Sequence, residues 1–310
     1  MSLTLLFAGG AERLDAYEAP LRRALDAVGL DADVTPDAPP EAVDYIIYAP
    51  GSALSDFSPF TRCKAVLSLW AGVERIVGNP TLHLPLCRMV DTALEAGMVE
   101  YVTGHVMRHH LGMDRHITAR PGEWDPQVPP LATERAVAVL GLGALGRASA
   151  QTLARLGFPV LGWSRSARTV DGIACHHGAE GLATVLARAQ IVVTLLPHTP
   201  QTENLIDARA LARLPRGAVL INPGRGALID DDALLAALDA GQLGHATLDV
   251  FRTEPLPAAH RFWHHPRVTV TPHVAAATRP DTAARVLAEN IRRGETGEPF
   301  LHRVDTARGY

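Results

Sequence analysis

The stretch Ala136-Val137-Ala138-Val139-Leu140-Gly141-Leu142-Gly143-Ala144-Leu145-Gly146-Arg147 reads as a buried strand, a tight turn and the first turn of a helix. Five apolar residues, Ala136 to Leu140, run without alternation, as a parallel strand covered on both faces requires. Gly141, Gly143 and Gly146 follow in G-x-G-x-x-G spacing. The first glycine permits the sharp turn, the second lets a pyrophosphate approach the backbone, and the third lets the helix lie close to the strand. Free amides at the helix start, near Ala144 and Leu145, would face the phosphates. Set between a strand and a helix, the glycines predict a dinucleotide site; a plain strand-to-helix turn is the alternative.

The residue that tells the two nicotinamide dinucleotides apart is expected about 20 residues past the glycines, at the end of the next strand. That count reaches Val160-Leu161-Gly162-Trp163 and then Ser164-Arg165-Ser166. No acidic residue stands there for a free 2′-hydroxyl. An arginine between two serines suits a 2′-phosphate, because a guanidinium pairs with phosphate through two parallel hydrogen bonds and the hydroxyls add donors. The expected cofactor is NADPH over NADH. A solvated loop carrying Arg165 and Arg168 is the competing reading.

At 310 residues the chain has room for two domains, and 47% hydrophobic with 20% charged residues is ordinary for a globular protein. A net charge of −4 gives no general attraction to nucleic acid or to an anionic membrane. Cys63, Cys87 and Cys175 are odd in number and lack C-x-x-C spacing, so neither a disulfide framework nor a zinc site is indicated, and a reducing cytoplasm is expected. The apolar opening, Met1 to Gly10, is short and lacks a basic flank; it reads as a strand, not a signal peptide. No run approaches the 18 or so apolar residues of a membrane span.

Strands are expected at Leu3–Ala8, Val43–Ala49, Ala65–Leu69 and Leu86–Val90, with an amphipathic helix over Leu14–Val28 and a break at Pro36, Pro39 and Pro40. Gly72, after the third of these strands, would allow a turn with exposed amides. One long helix is expected from Thr92 to about Ala119, followed by an irregular arm, Pro121 to Pro130. Trp124 in that arm is either a local core plug or a contact with a second subunit. After the glycine turn, strands at Val160–Trp163, Ile191–Leu196, Ala218–Ile221, Ala246–Val250 and Val268–Val270 alternate with helices, and a last helix runs from Pro280 to Arg293. The expected fold class is α/β, with two Rossmann-like domains built on parallel sheets.

Functional residues of such sheets gather beyond the carboxyl ends of the strands. Arg225 lies there in Asn222-Pro223-Gly224-Arg225-Gly226, Glu254 in Leu248-Asp249-Val250-Phe251-Arg252-Thr253-Glu254-Pro255, and His273 in Thr271-Pro272-His273-Val274-Ala275. Each alone would pass for a surface residue; as a set at successive strand ends they form a candidate catalytic trio. Asp230-Asp231-Asp232 stands before a helix, where acids cap and complement the dipole, so metal binding is not expected there. The adjacent histidine pairs are not spaced for a metal either.

With these motifs in view, the chain resembles the D-2-hydroxyacid dehydrogenase family and, within it, the glyoxylate/hydroxypyruvate reductase A group. The similarity runs through Ala71-Gly72-Val73-Glu74, the glycine turn, Trp163-Ser164-Arg165-Ser166, Leu196-Pro197-His198-Thr199, the three catalytic motifs and Val304 to Tyr310. The resemblance implies a dinucleotide-binding domain, residues 98–276, inserted into a discontinuous substrate-binding domain, residues 1–97 and 277–310. It implies that Arg225 clamps the substrate carboxylate, that His273 exchanges a proton with the keto oxygen, and that Glu254 steadies the imidazole and fixes its donating nitrogen. Ala71, Gly72 and Val73 would complete a carboxylate pocket, with Trp70 and Tyr48 bounding the substrate. Asp249 would hold the nicotinamide amide, Leu196, Pro197 and Thr199 would line the adenine side, and Pro223 would border the cofactor. A homodimer through the dinucleotide-binding domain is also implied. Trp70 stands where a smaller residue is frequent, and Pro223-Gly224 replaces a common Leu-Ala. The resulting expectation is NADPH-dependent reduction of glyoxylate and hydroxypyruvate. Its rivals are the same chemistry on a bulkier oxo acid such as phenylpyruvate, and a dinucleotide-sensing protein without catalysis.

Overall fold

The computed structural model describes residues 2–306. The chain divides into two compact units, one made of residues 1–94 and 277–310 and the other of residues 95–276. The second is thus an insertion in the first.

In the first unit five strands, β1 (Leu3–Ala8), β2 (Ala32–Thr35), β3 (Tyr45–Tyr48), β4 (Ala65–Ser68) and β5 (Leu86–Cys87), form one sheet in the order β2-β1-β3-β4-β5. Every pairing is parallel. Leu5, Phe7, Tyr45, Ile47 and Leu67 point to one face and pack on α1 (Ala11–Ala27) and on α8 (Pro280–Thr296), through Tyr17, Leu21, Leu25, Ala284, Leu287 and Ile291. Leu6, Ile46, Tyr48 and Val66 point to the other face and meet Phe57, Phe60, Val73 and Ile76. This alternation is the period of two that places neighbouring strand residues on opposite faces. Gly294 lets α8 lie against β3, since a Cβ there would fall 2.1 Å from the Tyr45 hydroxyl.

The second unit opens with α2 (Thr92–Leu111, of which residues from Glu95 belong to it) and α3 (Met113–Ile117). Its strands are β6 (Val137–Leu140), β7 (Val160–Ser164), β8 (Ala174–His177), β9 (Ile191–Thr194), β10 (Ala218–Asn222), β11 (Leu243–Leu248) and β12 (Val268–Val270). They order as β12-β11-β10-β9-β6-β7-β8, parallel throughout. Chain order reverses between β6 and β9, and in open α/β sheets such a switch point opens the crevice where ligands bind. Val137 and Val139 face α2 and α4 (Ala144–Arg155) through Met98, Val102, Val106, Ala150 and Leu153. Ala138 and Leu140 face the core built by α5 (Gly178–Arg188), α6 (Ala208–Arg213) and α7 (Asp231–Asp239). Burial on both faces accounts for the uninterrupted apolar run.

The structure corrects several expectations. The single helix expected over Thr92 to Ala119 ends at Leu111, because Gly112 takes a left-handed conformation at φ 64°. Two strands absent from the sequence reading, β2 and β8, occupy sheet edges. The strand expected over Leu86–Val90 pairs only at Leu86 and Cys87. Trp124 is 91% exposed, which removes the core-plug reading. The Asp230 carboxylate caps α7 by accepting from the Ala233 amide at 3.0 Å, the role expected of that acidic run.

Candidate active site

The glycine turn is built almost entirely from backbone. Gly141 has φ 107°, and a Cβ on it would stand 2.4 Å from the Leu195 carbonyl oxygen. A Cβ on Gly146 would stand 1.8 Å from the Gly141 oxygen, so only glycine lets α4 start this close to β6. Around Gly143, by contrast, nothing lies within 4 Å of the same position. Gly143 is also the N-cap of α4; it supplies no side-chain cap, and the first turn holds no acid. A helix start with no side-chain cap, no acid in its first turn and open space beside Gly143 fits a dinucleotide pyrophosphate.

Beside it, β7 ends in a buried Ser164 whose hydroxyl donates to the Ser166 carbonyl at 2.8 Å. That hydroxyl shapes the turn, whose following residues Arg165 and Ser166 are exposed. After β9, Leu196 and Pro197 are half-buried and Thr199 is buried. Thr202 closes this loop, donating to the Pro197 carbonyl at 2.7 Å and accepting from the Thr199 amide at 2.8 Å.

The next three strands carry the trio. After β10, the buried Asn222 organises the turn that holds Arg225. Its side-chain oxygen accepts from Thr194 Oγ1 at 2.6 Å and from the Gly224 amide at 3.1 Å, and its amide donates to the Arg225 carbonyl at 3.0 Å. Pro223 is buried within this turn. Gly226 lets the segment after β11 pass close by, because a Cβ there would lie 2.1 Å from the Phe251 carbonyl carbon. The Arg225 and Glu254 loops are therefore fitted backbone to backbone.

Glu254 follows β11. One carboxylate oxygen accepts from the Phe251 amide at 2.8 Å, and the other lies 2.7 Å from Nδ1 of His273, which follows β12. This pairing leaves Nε2 of the imidazole for an external group. His273 is 47% exposed on its side chain and has φ 55°, uncommon for a residue with a Cβ. Asp249, fully buried, holds the backbone there. Its Oδ1 accepts from Thr271 Oγ1 at 2.6 Å and the Val274 amide at 2.9 Å, its Oδ2 from the Ala275 amide at 2.9 Å, and its carbonyl from the His273 amide at 2.8 Å.

In the first unit, Tyr48 ends β3, buried with its ring centroid 6.0 Å from that of Phe57. Trp70 to Val73 follow β4. Ser68 ties the start of this loop, at 3.1 Å to both the amide and the carbonyl of Trp70. The Trp70 ring is 40% exposed, with the Arg13 guanidinium 5.9 Å from its centroid; Ala71 and Gly72 are half-buried and Val73 is buried.

Comparison with known proteins fits this arrangement. Residues 103–275 match the model of the D-isomer specific 2-hydroxyacid dehydrogenase NAD-binding domain. The glyoxylate/hydroxypyruvate reductase A of Serratia proteamaculans is 42% identical over 257 residues, covering 80% of this chain and 82% of the relative. A D-isomer specific 2-hydroxyacid dehydrogenase from Xanthobacter autotrophicus, solved with NADPH and MES, superposes with a TM-score of 0.94 at 40% identity and full coverage of both chains. The NADPH-dependent glyoxylate/hydroxypyruvate reductase of Sinorhizobium meliloti, solved with NADP and sulfate, gives 0.87 at 35% identity, again covering both chains fully. The chain belongs to the D-isomer specific 2-hydroxyacid dehydrogenase family. It is an NAD(P)-dependent oxidoreductase.

Sequence reasoning missed the supports of the trio. Asn222 carried a local signal, an Asn-Pro-Gly turn at a strand end. Arg252 carried none. It fastens the Glu254 loop by donating to the Ile229 carbonyl at 2.6 Å and to Asn204 Oδ1.

Proposed function

We propose that the chain reduces glyoxylate and hydroxypyruvate to glycolate and glycerate with NADPH. The observation that carries the reading is the 2.7 Å contact between His273 Nδ1 and Glu254, at the carboxyl ends of strands in the sheet that bears the glycine turn.

In this mechanism the nicotinamide, when bound, supplies the hydride. Arg225 binds the substrate carboxylate and polarises the keto oxygen, because a guanidinium stays charged at any working pH and presents a fork of donors. His273 delivers a proton from Nε2 to that oxygen and recovers it in the reverse direction. Glu254 holds the proton on Nδ1 and balances the imidazolium charge. From the first unit we assign the amides of Ala71, Gly72 and Val73 to substrate recognition, with Trp70 and Tyr48 setting its size.

Gly141, Gly143, Ala144, Leu145 and Gly146 are assigned to the pyrophosphate, Arg165 and Ser166 to the 2′-phosphate, and Leu196, Pro197, Thr199, Pro223 and Asp249 to the remaining cofactor contacts. Support for NADPH comes from Arg165 standing where an acid would select NADH, and from relatives solved with NADP or NADPH. Arg165→Asp is expected to reverse the ratio of KM values for NADPH and NADH. A homodimer in the cytoplasm completes the proposal. Its motivation is the arm in which Trp124, Val128 and Leu131 are 91%, 89% and 70% exposed.

The test is oxidation of NADPH and NADH with glyoxylate, hydroxypyruvate, pyruvate and phenylpyruvate in turn. Fast NADPH use with the first two supports the reading. Turnover only with phenylpyruvate keeps the mechanism and overturns the substrate assignment, while no turnover with any of the four overturns both.

A further inference from the structure

Asp249 reaches further than the segment around His273. Its Oδ1 accepts the hydrogen bond of the Thr271 hydroxyl, and the oxygen of that hydroxyl lies 2.7 Å from the hydroxyl of Tyr101 on α2. A threonine has one hydroxyl proton. With that proton directed at the carboxylate, Thr271 accepts from Tyr101, which fixes the direction of the chain: Tyr101 O–H to Thr271 O–H to Asp249 carboxylate. Burial pushes the Tyr101 phenol above its ordinary range and keeps it a donor.

At the far end the same carboxylate receives the Val274 and Ala275 amides, so its contacts fall on both sides of His273. The His273 amide is itself shared between the Asp249 and Thr271 carbonyls, at 2.8 and 3.0 Å. His273 at φ 55° is in a conformation that a residue with a Cβ seldom adopts, and such a conformation persists only where its surroundings over-determine it. The rest of α2 grips the same edge of the sheet. Arg108 reaches the Thr269 hydroxyl at 2.9 Å, which His245 of β11 also meets at 2.8 Å, and His109 reaches the Thr247 hydroxyl at 2.9 Å. Among the side-chain hydrogen bonds of α2 to the described residues, the Tyr101 rung is the one that continues into the segment carrying the imidazole.

We infer that Tyr101 and Thr271 are positioning residues for His273, acting through Asp249 to hold the imidazole at its working angle. The inference rests on His273 being the proton donor of the proposed reaction. Hydrogen bonds in series polarise one another, so losing either hydroxyl loosens the whole chain. Asp249 is the one member of this hydrogen-bond chain assigned to the cofactor, and it keeps the Val274 and Ala275 amides when either hydroxyl is lost, so the larger effect falls on turnover rather than on binding.

The test compares Tyr101→Phe, Thr271→Val, Thr271→Ser and the Tyr101→Phe/Thr271→Val double variant in NADPH-driven glyoxylate reduction, with His273→Ala in the same assay. Tyr101→Phe and Thr271→Val are each expected to lower kcat about fivefold to tenfold, the scale of one lost hydrogen bond, with KM for NADPH within about twofold. The double variant should be little worse than either single one, because both break the same chain. Thr271→Ser, which keeps the hydroxyl, should recover most of the turnover. Wild-type kcat in Tyr101→Phe and Thr271→Val beside an inert His273→Ala overturns this inference and leaves the proposed reaction standing. So does a fall in kcat matched by a rise in KM for NADPH. Near-normal turnover in His273→Ala overturns the reaction mechanism itself.

Discussion

Two places in the second unit approach the cofactor sheet by opposite means. At the β6 turn, position is set by what is missing: Gly141 and Gly146 each stand where a single methyl would collide with backbone, at 2.4 and 1.8 Å. At the β11–β12 edge, position is set by what is present, a set of threonines and an aspartate bonded to side chains and amides from α2 and from the His273 segment. A backbone-built region tolerates no addition, whereas a side-chain-built one degrades by steps as groups are removed. The first suits a phosphate cradle, which needs close approach and fixed amides. The second suits a proton donor, whose orientation is adjusted by the groups around it.

The comparison breaks most sharply at His273. His273→Ala is expected to lower kcat by about two to four orders of magnitude while the protein stays folded with its cofactor affinity intact. Turnover by stopped-flow and cofactor binding by calorimetry would show the separation. Gly146→Ala adds one carbon at the other region and should do the reverse, destabilising the fold by roughly 3 kcal/mol or more through overpacking against backbone. Denaturant titration would read it. Gly143→Ala sharpens the contrast, since its Cβ meets nothing within 4 Å; the unfolding midpoint should stay near wild type while the Kd for NADPH rises.

Acid offers a gentler probe of the side-chain-built edge. Burial holds His109 down to about 3 and His245 down to about 4, against an ordinary 6.5, with the Arg108 guanidinium adding to the effect and the Asp114 carboxylate opposing it. The unfolded chain takes up those protons near pH 6.5 and the folded one resists them. The stability they permit is therefore complete above that pH and falls as pH drops toward about 4. Thermal melts between pH 7.5 and 4.5 should show the decline, and His245→Gln should flatten it. The smallest effect is expected at the α7 cap, where Asp230→Ala should cost about 1 kcal/mol and leave both regions as they are.

What could be read from the sequence follows the same division. The glycine turn was legible because the geometric demand and the residue type coincide. Arg225, Glu254 and His273 were legible as strand-end residues and through the family resemblance. Their supports were not: Tyr101 and Thr271 are 170 positions apart, and no local pattern joins them. β2 (Ala-Asp-Val-Thr) and β8 (Ala-Cys-His-His) escaped notice because they are sheet edges with few buried residues, lacking the apolar signature of a central strand. Gly112 could not be weighed from sequence either. Gly104 sits within α2 without interrupting it, and only the left-handed backbone at Gly112 distinguishes the two.

The burial of Trp163 has a spectroscopic consequence. Its indole is 6% exposed in the wall of β7, its Nε1 donating to the Gly178 carbonyl at 2.9 Å, one residue before the Ser164-Arg165 turn. Such an indole emits toward the blue and is shielded from a water-soluble quencher. Trp124, 91% exposed on the arm, emits toward the red and is quenched first. Iodide should therefore quench the arm first and the partly exposed Trp70 and Trp263 after it, leaving β7 as a built-in lamp that dims by energy transfer when a reduced nicotinamide docks nearby.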